Sequence, residues 1–207
     1  MQPEPQKTVT FTDQMRVRMK GILDPIGTFL NGIGLTPDGM TILGVLGTLV
    51  GAIFLARGDM FLGGLLILIF SAFDALDGTM ARLRGQVTSF GAFLDSVTDR
   101  YSELFVLGGL LIYFTTKGDT ITVIGIYLAA AGSVLVSYVK ARAESLKFTA
   151  NVGLLTRVER YIVTVIFLLL NLPIPAIWII AVFANITALQ RIWTVRQQAI
   201  RTVQQNQ

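Results

Sequence analysis

Residues Met60 to Asp99 read MFLGGLLILIFSAFDALDGTMARLRGQVTSFGAFLDSVTD. From Met60 to Leu76 the run is almost wholly apolar, close to the roughly 20 residues a helix needs to cross a hydrocarbon core. A second apolar run starts at Phe90 after the short polar break around Arg84 to Ser89, so the two spans pack antiparallel. Aspartates stand at the joined ends of both, Asp74 and Asp77 in the first span and Asp95 and Asp99 in the second. Working outward, further apolar runs lie at Met40 to Ala56, Ile121 to Val139, Tyr161 to Leu172 and Ile174 to Ile192, and the second span extends to Phe114. The pattern predicts an all-α integral membrane protein of six transmembrane helices.

Composition agrees, because a 207-residue chain that is 53% hydrophobic and 14% charged is too apolar for an ordinary soluble domain. Cysteine and histidine are both absent, which excludes disulfides, thiol nucleophiles, thiolate metal sites and imidazole acid-base chemistry. Catalysis is left to carboxylates, hydroxyls, Lys and Arg. The net charge of +4 reflects cations at the ends of apolar runs, facing anionic headgroups, and not a nucleic-acid surface.

Residues 1–10 form a polar, proline-containing tail without the apolar core of a signal peptide. Residues 11–36 mix Met15, Ile22 and Phe29 with Arg16, Arg18 and Lys20, which predicts a juxtamembrane amphipathic helix or, alternatively, a basic flank of no defined structure. The membrane domain occupies 37–195 and a second polar tail 196–207. Cations fall on one side of the spans: Lys7, Arg16, Arg18 and Lys20, then Arg82 and Arg84, Lys140 to Arg160, and Arg191, Arg196 and Arg201. The opposite loops hold Arg57 and Lys117, and the turn Asn171 to Pro175 is uncharged. By the positive-inside rule both termini and the aspartates face the cytoplasm of a multi-pass cell-membrane protein.

Ionised carboxylates at such depth are costly and mark functional sites. Asp74 and Asp77 are three residues apart and Asp95 and Asp99 four, so each pair projects from one helix face. Four carboxylates with no nitrogen or sulfur ligand make an all-oxygen site suited to Mg²⁺ or Mn²⁺, with room for two ions. A structural alternative is an ion-pair network with Arg82, Arg84 or Arg100, which leaves the regular spacing unexplained. Gly78, Ala81 and Gly91 are small enough for a ligand to approach the backbone, though small residues also serve plain helix packing.

The run resembles the signature of the CDP-alcohol phosphotransferase family, D-x2-D-G-x2-A-R-x8-G-x3-D-x3-D. Every fixed position is present, as Asp74, Asp77, Gly78, Ala81, Arg82, Gly91, Asp95 and Asp99. The resemblance implies a two-metal site on Asp74, Asp77, Asp95 and Asp99, with Asp99 also the general base that deprotonates an attacking alcohol. It implies too that Gly78, Arg82 and Thr88 contact the CDP group of a CDP-lipid. Thr36, Pro37 and Asp38 begin a helix whose free N–H groups suit an anion or base, and the family has a nucleotide-contacting segment there; an ordinary N-cap is the alternative for these residues.

The acceptor is read from the stretch Ser137 to Arg160, SYVKARAESLKFTANVGLLTRVER, whose cations favour a phosphorylated alcohol, although positive-inside topology accounts for some of them. Its YVKARAES and RVER segments are similar to those of the bacterial phosphatidylinositol-phosphate synthases within the family. That likeness implies CDP-diacylglycerol and inositol 1-phosphate as substrates, with Ser137, Lys140, Arg160 and Arg191 on the acceptor phosphate, Arg157 as a neighbour and Arg196 as a competitor of Arg191. It also implies a homodimer. The alternatives are glycerol 3-phosphate as acceptor and, in another class, a non-catalytic divalent-cation membrane protein, against which the lack of related halves counts.

Overall fold

The computed structural model describes residues 11–205, with side chains described over 21–204. Residues 1–10 of the N-terminal tail and 206–207 of the C-terminal one lie outside it, as do the side chains of Met15, Arg16, Arg18 and Lys20 on which the amphipathic reading leans.

The described chain is helical throughout. Seven helices follow in order: α1 (Phe11–Gly32), α2 (Pro37–Arg57), α3 (Met60–Leu83), α4 (Ser89–Thr116), α5 (Thr120–Ser145), α6 (Arg157–Leu169) and α7 (Pro173–Gln205). Each apolar run has become a helix, and α7 runs on through Gln205, so residues 196–205 of the polar tail are its last turns.

Four of the helices, α2, α3, α5 and α7, are long and apolar enough to cross a membrane. The other two expected spans differ for separate reasons. α4 has the length, at 28 residues, but carries Asp95, Asp99, Arg100 and Glu103 within its first 15 residues. α6 has 13 residues, a rise of about 20 Å at 1.5 Å per residue, against a hydrocarbon core of about 30 Å.

α2 packs on α3 and α4, α5 on α7, and α1 and α6 both lie against α3. Side chains such as Leu55, Ile67, Leu110, Ile126, Leu168 and Ile177 are almost fully enclosed at the centre. Along the outer face of α2, Ile42, Leu46, Val50 and Ile53 are exposed, as expected of a helix bordered by lipid. Without a solvent-driven hydrophobic force inside a bilayer, helices gain most by approaching closely, and small residues permit it. A methyl group at Gly109 of α4 would sit 2.3 Å from the carbonyl oxygen of Ala52 in α2. The α2–α3 turn uses a second glycine: Gly58 has φ 94°, a left-handed cap open to glycine at little cost.

Between α5 and α6 the chain has no regular structure from Lys147 to Thr156, and α7 satisfies several of its backbone groups. Thr187 Oγ1 accepts the N–H groups of Leu154 and Leu155, both at 3.2 Å. Gln198 accepts the Thr149 N–H at 3.0 Å and donates to its carbonyl at 2.6 Å.

Adjacent glycines of α4 make a matched test. Gly109→Ala is expected to destabilise the protein by about 1–3 kcal/mol, the usual cost of overpacking. Gly108→Ala, where a methyl meets nothing within 4 Å, is expected to be neutral or slightly stabilising. Thermal unfolding in detergent distinguishes the two, and equal effects would remove the close α2–α4 approach from the account.

Candidate active site

The last turns of α3 and the first turns of α4 form the site. Asp74, Asp77, Gly78 and Arg82 come from α3, and Asp95 and Asp99 from α4. The connection reverses at Gly85, with φ 65°, and Thr88 caps α4 by accepting the Gly91 N–H at 2.9 Å. Asp77 and Asp99 are buried, at 7% and 8% exposure, whereas Asp74 is half-buried.

Thr41 of α2 donates its hydroxyl to Asp77 Oδ2, which fixes that carboxylate from a third helix. The four carboxylates lie within one another's electrostatic reach: Asp77 faces Asp74 and Asp95, and Asp99 faces the same pair. Among the described residues, no three of them converge on a single coordination point. A cation already sits among them. Arg157, the first residue of α6, places Nη2 3.2 Å from Asp74 Oδ2 and also pairs with Asp99 Oδ1. An all-oxygen, acidic cluster that draws a guanidinium into its middle has the donor chemistry for a hard divalent cation, so the residues present fit the expected metal.

The arginines near the signature do not neutralise it. Arg82 donates to Thr79 Oγ1 at 2.9 Å, and Arg100 is tied back to the Ser96 carbonyl. Arg84 reaches the carbonyl of Leu35 at 2.6 Å, which pins the α1–α2 turn to the end of α3. The ion-pair network weighed from the sequence is thus not built from these three residues.

Beside Asp74 lies a cleft of about 60 Å³, lined by Gly78, Thr79 and Arg82 of α3 and by Leu23 and Asp24 of α1. A methyl at Gly78 would stand 3.4 Å from Arg82 Nη1, so glycine leaves that guanidinium room to fold across the cleft. At the start of α2, Thr36 is the N-cap, accepting the Gly39 N–H at 3.1 Å, with Pro37 at the first helical position. Asp38 in that first turn points toward α4, where a methyl at Gly91 would lie 3.7 Å from its Oδ1.

The residues expected on the acceptor phosphate form a second cluster, with Arg160 and Arg191 within electrostatic reach of each other and Glu144 near Arg191. Arg160 is 1% exposed and makes a two-pronged ion pair with Glu103, at 2.7 Å and 3.0 Å. Arg191 is buried and donates to the carbonyls of Val136 and Val152, at 2.7 Å and 2.9 Å. Lys140 pairs with Glu144 at 3.8 Å, Ser137 is half-buried nearby, and Arg196 stacks over Trp193 at 5.3 Å.

Sequence reasoning passed over Thr41 and Glu103. Thr41 carried no signal beyond a hydroxyl in an apolar span. Glu103 did carry one, since Asp95, Asp99 and Glu103 recur at four-residue spacing along one face of α4.

Residues 34–195 match the family model described as CDP-alcohol phosphatidyltransferase. The chain is 36% identical to a phosphatidylinositol phosphate synthase of Streptomyces avermitilis, over 86% of its own length and 79% of the relative's. It superposes with TM-score 0.80 and 36% identity on the crystal structure of Mycobacterium tuberculosis phosphatidylinositol phosphate synthase with CDP-DAG bound, covering 84% of this chain and 94% of that one. The structure of the same Mycobacterium tuberculosis enzyme in complex with manganese and citrate also gives TM-score 0.80 at 36% identity, covering 84% and 88%.

Glu103→Ala leaves the buried Arg160 guanidinium without its partner and is expected to cost about 3–5 kcal/mol of stability. The double change Glu103→Leu with Arg160→Met is expected to recover most of that loss. Unfolding temperatures of both variants test this, and an Ala variant as stable as the parent would show that the pair is not structural.

Proposed function

Since the chain belongs to the CDP-alcohol phosphatidyltransferase family, we propose that it transfers the phosphatidyl group of CDP-diacylglycerol to a hydroxyl of inositol 1-phosphate, releasing CMP and forming phosphatidylinositol phosphate. One observation carries the reading: α6 begins in the aspartate cluster with Arg157 and, one turn later, reaches the separate cationic cluster through Arg160. A metal-type centre therefore adjoins a place for an anion, as a phosphorylated acceptor requires.

In this reading Asp74, Asp77, Asp95 and Asp99 would hold Mg²⁺, or Mn²⁺, as two ions, and the chemistry supplied there is neutralisation of the pyrophosphate and of the departing CMP. Gly78, Arg82 and Thr88, with Pro37 and Asp38, take the CDP group beside the cleft. Arg82 offers the planar fork that spans two phosphate oxygens. Ser137, Lys140, Arg160 and Arg191 take the acceptor phosphate; Arg160 and Arg191 are already held by Glu103 and by backbone carbonyls, so little side-chain entropy is lost when their remaining N–H groups bind it.

Asp99 accepts the proton of the attacking hydroxyl as its oxygen bonds to the lipid-side phosphorus, and the bond from that phosphorus to CMP breaks in line. Most of the acceleration comes from positioning and charge stabilisation.

The same reading adds α4 and α6 to the spans, as the third and fifth of six, and makes α1 an interfacial amphipathic helix. It sets both termini and the site on the cytoplasmic face of the cell membrane, in a homodimer. The charged half of α4 then lies inside the bundle, where intramembrane carboxylates belong.

Purified protein given CDP-diacylglycerol and Mg²⁺ is expected to release CMP with inositol 1-phosphate and to fall silent on chelation. Glycerol 3-phosphate is the competing acceptor, and CMP release with it alone would replace inositol phosphate in the assignment. Asp99→Asn is expected to lower turnover by about 10²–10⁴, the usual worth of a general base. An unchanged rate would remove Asp99 from that role.

A further inference from the structure

Arg157 bonds to two of the aspartates that the reading above assigns to metal, and that contact points to a role the transfer reaction does not by itself assign. We propose that Arg157 is an internal cation that competes with the divalent metal for Asp74 and Asp99, and that the phosphate of the acceptor relieves the competition by drawing the guanidinium away. The proposal rests on the aspartate cluster as the metal site and on a phosphorylated acceptor.

Three features of the structure carry it. The guanidinium bonds to Asp74 and Asp99 on two different helices, so it engages two of the carboxylates that would hold the metal. An arginine stays charged at any physiological pH, so the conflict with a second cation is resolved only by movement. Movement is open to it, because the Arg157 side chain is half exposed, whereas that of Asp99 is 5% exposed.

The direction of movement follows from the neighbours. Arg160 lies three residues further along α6, on the same face, and joins Arg191 in the cationic cluster. A phosphate dianion held there presents oxygens to the Arg157 fork, which matches phosphate as well as it matches carboxylate. As the fork turns to the phosphate, Asp74 and Asp99 are released. Metal and acceptor then strengthen each other's binding, and linkage makes the effect equal in both directions. The arrangement also keeps four crowded carboxylates partly compensated between turnovers.

The test is a Mn²⁺ titration followed by the loss of the free-ion paramagnetic resonance signal, on detergent-solubilised wild type, Arg157→Gln and Arg157→Lys, each with and without inositol 1-phosphate. Without acceptor, Arg157→Gln is expected to bind Mn²⁺ roughly tenfold more tightly than wild type, on the order of the gain from removing one like charge beside the ion. Arg157→Lys keeps the charge, without the fork, and is expected to stay near wild type. Inositol 1-phosphate is expected to tighten Mn²⁺ binding several-fold in wild type and to leave Arg157→Gln unchanged, which also controls for direct chelation by the phosphate.

Equal or weaker Mn²⁺ binding by a folded Arg157→Gln protein overturns the proposal, as does the same tightening by acceptor in both proteins. If Arg157→Gln does not fold, an Arg157→Lys protein that loses the acceptor effect supports the fork, and one that gains tenfold in Mn²⁺ affinity overturns the charge competition. Should glycerol 3-phosphate tighten binding in wild type where inositol 1-phosphate does not, the acceptor assignment fails while the competition is still judged by the Arg157→Gln comparison.

Discussion

An ionised carboxylate at the edge of a hydrocarbon layer is tolerated only where a cation or a set of hydrogen bonds replaces the water it has lost. Asp77 and Asp99 are buried at the junction of α3 and α4, and the local architecture answers that constraint. Thr41 is brought in from α2 to Asp77, and α6 begins where its first side chain can lie between Asp74 and Asp99. Further along the same helices, α2 and α4 pack closely at Ala52 and Gly109. The short turn at Gly85 joins the two aspartate pairs. Much of the half of the molecule that carries the aspartates can be understood as compensation for charge that chemistry requires and the membrane resists.

A second burden has been met differently. Arg160 is enclosed by protein and neutralised by the two oxygens of Glu103, whereas Arg191, also enclosed, leans on carbonyl dipoles. Arg191 has carbonyl partners and Glu144 nearby but no direct ion pair among the described residues, while the Glu103 pair mutes the charge of Arg160. The two arginines are therefore unequal, with Arg191 the stronger source of positive field and Arg160 the more firmly oriented.

The helices and the aspartates were legible because both leave one-dimensional traces: long apolar runs, and carboxylates at helical spacing inside them. Boundaries were less so. The apolar run at Tyr161 to Leu172 did not reveal that α6 ends at Leu169, because a positive-φ turn at Asn171 has no hydropathic signature. Nor did the polar tail betray that α7 continues to Gln205, since helix there follows from an uninterrupted backbone without Gly or Pro. In the site, type and spacing identified the aspartates, but partnership is a three-dimensional fact. The partner of Asp99 proved to be Arg157, 58 residues away, and not Arg100 beside it. Thr41 was silent for the same reason, lying 36 residues from Asp77.

The segment from Lys147 to Thr156 takes its shape from α7, through Thr187, Arg191 and Gln198. Its backbone is thus held as a dowel holds a joint, from outside its own sequence. A substitution at Thr187, Arg191 or Gln198 therefore reaches the loop without altering its sequence, because each removes a hydrogen bond that the loop backbone makes with α7.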